Sequence, residues 1–181
     1  MIKMSFKVGK EGEGIYQIAL LQRLLSLFLS LFLLVGFFYE LGSFTFSLFV
    51  IVPIALFLLG LFGFGYQEKW TFRPKEGRVD YQVGWFFIVK KESIKASNIK
   101  QFEITHFLRG FMTNNVPFRR ATRGNRRMVV FSIRLVNGQK KDIEIVGKRS
   151  SGGYTEKTAQ IIANLMDKPF YKDEEESYDY W

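Results

Sequence analysis

The sequence predicts an α+β membrane protein, in which an N-terminal two-helix transmembrane hairpin precedes a bent antiparallel β-sheet or barrel with one C-terminal helix. Three observations indicate this class. Two apolar runs, residues 18–39 and 44–66, are separated by only a few residues. From residue 68 onward apolar and polar side chains alternate, as they do in half-buried strands. From Thr155 to about Asp167 the apolar period is helical again.

The two apolar runs form the predicted hairpin, residues 17–66. At about 1.5 Å per residue each run would measure roughly 33 Å, enough to cross a hydrocarbon core of about 30 Å. Basic residues flank the hairpin but are missing from its connector: Lys3, Lys7, Lys10 and Arg23 on one side, Lys69, Arg73, Lys75 and Arg78 on the other. The positive-inside rule then predicts a multi-pass protein of the bacterial cell (inner) membrane with both termini cytoplasmic. The alternative is a buried helix pair in the core of a soluble bundle.

The charge of the chain is unevenly distributed. Residues 67–167 hold twenty Lys or Arg against nine Asp or Glu, whereas residues 168–181 hold two against five. We expect the basic part, a cytoplasmic domain, to be attracted to anionic headgroups of the inner leaflet. The acidic, aromatic tail is predicted to be disordered, and residues 1–16 form a cytoplasmic N-terminal segment. The chain has no cysteine, which excludes disulfides and thiolate chemistry.

The basic domain reads as a series of strands joined by turns. The Asn137-Gly138 pair is a strong hairpin signal. In the strand that follows it, alternation predicts that Ile143 and Ile145 face inward and that Asp142 and Glu144 face solvent. The predicted strands are residues 69–73, 78–84, 85–90, 102–108, 128–136 and 141–146. They imply one strongly bent antiparallel sheet, which the helix from Thr155 would close.

A hairpin, a strand series with the phrase Asn98-Ile99-Lys100-Gln101-Phe102-Glu103-Ile104 and a terminal helix together resemble small bacterial membrane proteins with a cytoplasmic pleckstrin-homology-like domain. A narrower resemblance, carried by Lys75-Glu76-Gly77, residues 98–104 and residues 155–163 with Met166 and Pro169, is to the photosystem I assembly factor family. The loop after Leu108 and the acidic tail depart from that pattern. The first resemblance implies a fold and a topology, and the second implies a role in assembling or stabilising a membrane complex.

One segment of the basic domain combines arginine with apolar side chains and contains no acid. Its candidate contact residues for anionic lipid or a partner are Arg109, Arg119, Arg120, Arg123, Arg126, Arg127, Phe111 and Phe118. Arginine binds phosphate through two parallel hydrogen bonds, and neighbouring apolar groups can enter the headgroup zone. The alternatives are a solvated loop without a ligand and, as the weakest reading, nucleic-acid binding.

Residues able to carry catalysis are few. His106 is the only histidine, and no acid or base that would orient it accompanies it in the sequence. We find no phosphate-binding or dinucleotide motif, and no catalytic, cofactor-binding or metal-binding residue is assigned. The sequence therefore predicts a non-enzymatic scaffold that binds membrane lipid and another membrane protein or complex, with an assembly or stability factor as the alternative. A transporter or enzyme accessory subunit using His106 is the remaining reading, and the oligomeric state stays open.

Overall fold

The computed structural model describes residues 4–41, 51–109 and 126–173. Its elements in chain order are β1 (Met4–Val8), β2 (Gly14–Ile18), α1 (Leu20–Leu41), α2 (Ile51–Gly65), β3 (Tyr66–Arg73), β4 (Arg78–Trp85), β5 (Ile88–Lys95), β6 (Ile99–Arg109), β7 (Arg126–Leu135), β8 (Lys140–Gly147), α3 (Lys148–Ser151), α4 (Tyr154–Leu165) and β9 (Phe170–Lys172). A single 3-10 turn, Ala96–Asn98, joins β5 to β6.

The first sheet has five antiparallel strands in the order β1-β2-β3-β4-β5. Strand β2 pairs directly with β3, with Gly14 opposite Phe72 and Gln17 opposite Lys69. The two long helices are therefore inserted between adjacent strands of one sheet, and the hairpin is not a separate N-terminal unit. Residues 4–18, which the sequence assigned to a segment before the domain and to the start of the first span, supply two of the five strands.

The second sheet has four strands in the order β8-β7-β6-β9. Its last strand, Phe170–Lys172, runs parallel to β6, with Phe102 opposite Phe170. These three residues belong to the tail that was predicted to be disordered. They extend the sheet by pairing with β6. The next residue continues this contact, since Asp173 N–H donates a hydrogen bond of 3.0 Å to the Ile104 carbonyl.

One hydrophobic core lies between the two sheets and α4. The first sheet contributes Tyr16, Trp70 and Phe72, which are at most 1 % exposed. The second sheet contributes Phe102 and Phe131, whose rings lie 6.1 Å apart. Helix α4 covers this core with Ala159, Ile162, Ala163 and Met166. The helical period from Thr155 therefore marks a true core-facing helix.

The predicted fold class was wrong in two respects. Within the described residues, no helix is both long enough and apolar enough to cross a membrane. Helix α2 has 15 residues, about 22 Å. Helix α1 has 22 residues, but its first turn contains Gln22 and Arg23, and the uncharged run after Arg23 ends at Tyr39, about 24 Å further on. The transmembrane hairpin, and with it the multi-pass inner-membrane location with cytoplasmic termini, is thereby overturned.

The second error concerns the β part. The sequence predicted a single bent sheet or barrel with one C-terminal helix after the hairpin, whereas the described residues form two sheets, with the short helix α3 ahead of α4. The difference arises because β1, β2 and β9 are only five, five and three residues long. Such short strands show no clear alternation, and their partners are distant in the sequence.

Candidate functional site

Helices α1 and α2 contact each other through small residues. Ser26 Oγ donates a hydrogen bond of 2.8 Å to the Gly60 carbonyl, and Ser30 Oγ donates one of 2.9 Å to the Ser26 carbonyl. A Cβ at Gly60 would overlap Ser30 Oγ, and one at Gly63 would lie 2.6 Å from Ser26 Oγ. Ser30 is only 1 % exposed. The seam of the hairpin is therefore built from serine and glycine.

The large apolar side chains of the same helices point away from this seam. Leu21 is 78 % exposed and Phe28 is 70 % exposed. They belong to a set of exposed apolar residues that follows both helices: Leu21, Leu24, Leu25, Phe28, Leu29, Leu31, Phe32, Val35 and Phe38 on α1, and Val52, Ile54, Leu56, Leu58, Leu59 and Phe62 on α2. We call this set the hairpin surface. Small residues inside and large apolar residues outside reverse the usual pattern of a water-facing helix pair.

A cavity lies where the hairpin joins the first sheet. It has a volume of about 340 Å³ and is lined by Ile18, Gln22, Arg23, Ser26, Gly63 and Tyr66. Arg23 Nε donates a hydrogen bond of 3.2 Å to the Phe64 carbonyl, and its guanidinium lies 5.7 Å from the Phe64 ring centre. Among the described residues, no carboxylate is ion-paired with Arg23. A cation thus lies at the base of the hairpin surface, as the sequence suggested when it read Arg23 as a flank of the first run.

The predicted arginine segment is only partly described. Phe111, Phe118, Arg119, Arg120 and Arg123 lie outside the described residues. The remaining three occupy the end of the β6–β7 ladder, where Arg109 is opposite Arg126 and Leu108 is opposite Arg127. The structure therefore brings two arginines to one register position at the open end of this strand pair.

The sequence did not predict a buried polar cluster around Glu144, because a β-bulge shifts the alternation of β8. Phe131 pairs with Glu144, but Ser132 pairs with Asp142, so Ile143 is an extra residue in β8. The bulge turns Glu144 inward, where it is 7 % exposed, and leaves Ile145 49 % exposed. The predictions for Glu144 and Ile145 were therefore wrong. Strict alternation fails after a bulge, since the side-chain period is two.

Glu144 connects the two sheets to α4. It accepts hydrogen bonds from the Tyr16 hydroxyl, from Thr155 Oγ1 at 2.9 Å and from Met4 N–H at 3.4 Å. Burial, together with the adjacent Glu144 carboxylate, raises the pKa of Tyr16 well above its ordinary value, so the hydroxyl keeps its proton and donates. Every donor comes from a different element, and the cluster is a structural tie between β1, β2, β8 and α4.

Glu103 is the other buried carboxylate. Its side chain is 1 % exposed and lies 2.8 Å from Arg134 Nε and 3.2 Å from Lys140 Nζ. Burial alone would raise the pKa of Glu103, but hydrogen bonds from Arg134 and Lys140 outweigh it and hold the pKa below the ordinary value. Both cations belong to neighbouring strands of the second sheet, so this group also serves the fold.

His106 lies in β6 opposite Val129 and is half-buried. Its backbone N–H donates a hydrogen bond of 3.1 Å to Asp173 Oδ2, which holds the end of β9 against β6. Across the described ranges, no three His, Asp or Glu residues form a group suited to a metal ion. The described polar clusters around Glu144, Glu103 and His106 thus bond to neighbouring elements of the fold. The hairpin surface consists instead of exposed apolar side chains.

Comparison with known proteins yields no relative: no family model, curated protein or solved structure matches this chain. The resemblances to pleckstrin-homology-like membrane proteins and to the photosystem I assembly factor therefore stay predictions.

Proposed function

We propose that this protein is a non-enzymatic scaffold that attaches to a lipid surface through the hairpin surface and presents its two-sheet domain to a protein partner. The reversed polarity of the hairpin carries this proposal. Serine and glycine occupy the helix contact, while leucine and phenylalanine face outward around both helices. Water is a poor environment for such a surface, because exposed apolar area carries a free-energy cost of about 25 cal/mol per Å² relative to burial.

Lipid fits this surface better than a single protein partner does. A protein partner covers one stripe of a helix, whereas the exposed apolar residues of α1 include neighbours in sequence, such as Leu24 with Leu25 and Phe28 with Leu29. A lipid surface takes up a broad apolar face of this kind, as it does for helices that lie in the plane of the interface.

The charge around the surface favours anionic lipid. Arg23 lies at the base of the hairpin, and Arg109 and Arg126, which end the β6–β7 ladder, add positive charge to the two-sheet domain. Each basic residue near an anionic surface contributes about 1 kcal/mol.

The test is flotation of the full-length protein with vesicles after removal of detergent by dilution. We expect the wild type to float with phosphatidylcholine vesicles and more completely when phosphatidylglycerol is added. Changing Leu25, Phe28 and Phe32 together to Ser should abolish flotation. A matched control changes three exposed apolar residues of the two-sheet domain, Val8, Val136 and Ile161, to Ser and should float like the wild type.

Two results would contradict the proposal. One is unchanged flotation of the Leu25, Phe28 and Phe32 variant, since that would remove the hairpin surface from binding. The other is a wild type that stays in the dense fraction as a defined oligomer by light scattering, because a second copy of the chain would then cover the surface.

A further inference from the structure

The turn between β4 and β5 places two aromatic residues where a hairpin normally has glycine or asparagine. Trp85 is opposite Ile88, so Phe86 and Phe87 form a two-residue turn. Phe86 has a φ of 46°, a left-handed conformation that is unfavourable for a non-glycine residue. Phe87 is 98 % exposed and Ile88 is 80 % exposed. At this exposure Phe87 and Ile88 contribute little to the core, which points to a use outside the fold.

This turn is fixed against the base of α2. Trp85 Nε1 donates a hydrogen bond of 3.0 Å to the Phe62 carbonyl, and the two rings stack with centres 4.5 Å apart. Phe86 N–H donates a hydrogen bond of 2.9 Å to the Gly65 carbonyl. A side chain at Gly65 would overlap the Phe86 and Trp85 rings. The turn is thus joined to the end of α2 through Trp85 and Phe86, and Phe87 and Ile88 follow these two residues directly in the chain.

The residues after the turn change from apolar to basic. Lys90 and Lys91 are exposed, and the next residue, Glu92, is paired with Lys141 at 2.7 Å. At about 3.3 Å per strand residue the two lysines lie roughly 7–10 Å from Ile88. Apolar groups of interfacial elements enter lipid to a depth of about 5–10 Å. The spacing matches a turn with its tip in acyl chains and its lysines among phosphates.

We propose that the β4–β5 turn is a second lipid-inserting element, which places Phe87 and Ile88 among acyl chains and Lys90 and Lys91 against anionic headgroups. The inference rests on the proposed function, because it extends the hairpin surface to a neighbouring loop. It adds that the two-sheet domain meets the lipid in one fixed orientation, with this turn at the lipid and the opposite end of the first sheet away from it.

The absence of cysteine from the chain permits a site-specific test. Single cysteines at Phe87, Phe28 and Val136, each labelled with an environment-sensitive nitrobenzoxadiazole probe, report on the turn, the hairpin surface and a distant control. Val136 is 66 % exposed. Val136 N–H donates a hydrogen bond to the Asn98 carbonyl, and Ala96 N–H donates one to the carbonyl of Gly77, in the turn between β3 and β4. Val136 therefore lies near the end of the first sheet that is opposite the β4–β5 turn.

With phosphatidylcholine–phosphatidylglycerol vesicles we expect blue-shifted, brighter emission at Phe87→Cys and Phe28→Cys that nitroxides on the acyl chains quench. The probe at Val136→Cys should not change. A response at Phe28→Cys without one at Phe87→Cys overturns this inference and leaves the proposed function intact. No response at either position contradicts both. A blue shift at Phe87→Cys that acyl-chain nitroxides fail to quench also overturns it, since the turn would then contact protein.

An unlabelled variant keeps the result independent of the probe. Changing both Phe87 and Ile88 to Ser should weaken vesicle partitioning about tenfold or more, because both apolar side chains would lose their burial among acyl chains. Changing Lys90 and Lys91 to Gln should weaken partitioning into phosphatidylglycerol vesicles only. Val136→Ser should bind like the wild type, and equal binding by all three variants would overturn the inference.

Discussion

Ser26 donates its hydroxyl hydrogen bond to the Gly60 carbonyl, and this 2.8 Å contact joins the two helices whose outer faces are almost entirely apolar. The contact determines which residues are left outside. Because small residues occupy the closest contact, large side chains such as Leu25 and Phe28 are exposed, whereas Leu27 and Phe57 are half-buried. The hairpin surface is therefore a consequence of how the helices pack.

The first prediction concerns this seam. Gly60→Leu should destabilise the protein by about 1–3 kcal/mol, since a larger side chain would overlap Ser30 and force the helices apart. Gly36→Leu is the matched control, because a Cβ at Gly36 meets nothing within 4 Å. Thermal unfolding in detergent, followed by circular dichroism, measures both; a loss of roughly 2–4 °C per kcal/mol is expected for a chain of this size. Equal melting temperatures for the two variants would contradict the packing described for the seam.

The second prediction concerns the tie between the sheets. Glu144→Gln should lower the free energy of unfolding by about 2–4 kcal/mol, because three donors from β1, β2 and α4 lose a charged acceptor. Asp142→Asn, two residues away on the exposed side of β8, should change it by less than about 0.5 kcal/mol. Guanidinium denaturation compares the two variants. A larger effect at Asp142 would mean that the bulge in β8 is misplaced.

The third prediction is a pH dependence that originates at Glu103. Its folded-state pKa is lowered, so its contribution to stability is fully present above the ordinary carboxyl pKa of 4.5 and is lost as pH falls through the lower folded value. We expect Glu103→Gln to flatten the decline of stability below about pH 5 relative to the wild type. Glu92→Gln is the control. Its pKa is also lowered, chiefly by a hydrogen bond from Lys141, but solvent screening of this exposed pair should make its effect smaller. Parallel pH profiles for the Glu103 variant and the wild type would rule out this assignment.

The fourth prediction concerns the arginines that end the β6–β7 ladder. Arg109 and Arg126 occupy one register position, and like charges directly opposite each other destabilise a sheet by about 0.2–1 kcal/mol. Arg126→Gln should therefore stabilise the fold slightly and, if these charges serve lipid, weaken salt-sensitive flotation with phosphatidylglycerol vesicles. Arg149→Gln, in α3, is the charge-matched control. Stabilisation without any loss of binding would assign Arg126 no part in lipid contact.

Several elements of the fold could be predicted from local pattern. The predicted strands at 78–84 and 141–146 lie within β4 and β8, and the helix from Thr155 overlaps α4. In each case alternation or helical period extends over at least six residues and begins shortly after a turn glycine; Gly77 and Gly138, for example, have φ values of 59° and 84°. The candidate site was harder to predict. The apolar run Trp85 to Ile88 was read as the start of a strand, although four apolar residues without alternation were a signal of a different role.

The sequence by itself determined the alternation, the turns, the C-terminal helix and the two apolar helices with a cation at their base. Only the tertiary structure decided that these helices are inserted between the paired strands β2 and β3, that β9 pairs with β6, and that a bulge buries Glu144. The reason is physical. Period and turn chemistry are local properties of the chain, whereas strand partners, helix ends and register depend on contacts between residues as distant as Met4 and Glu144.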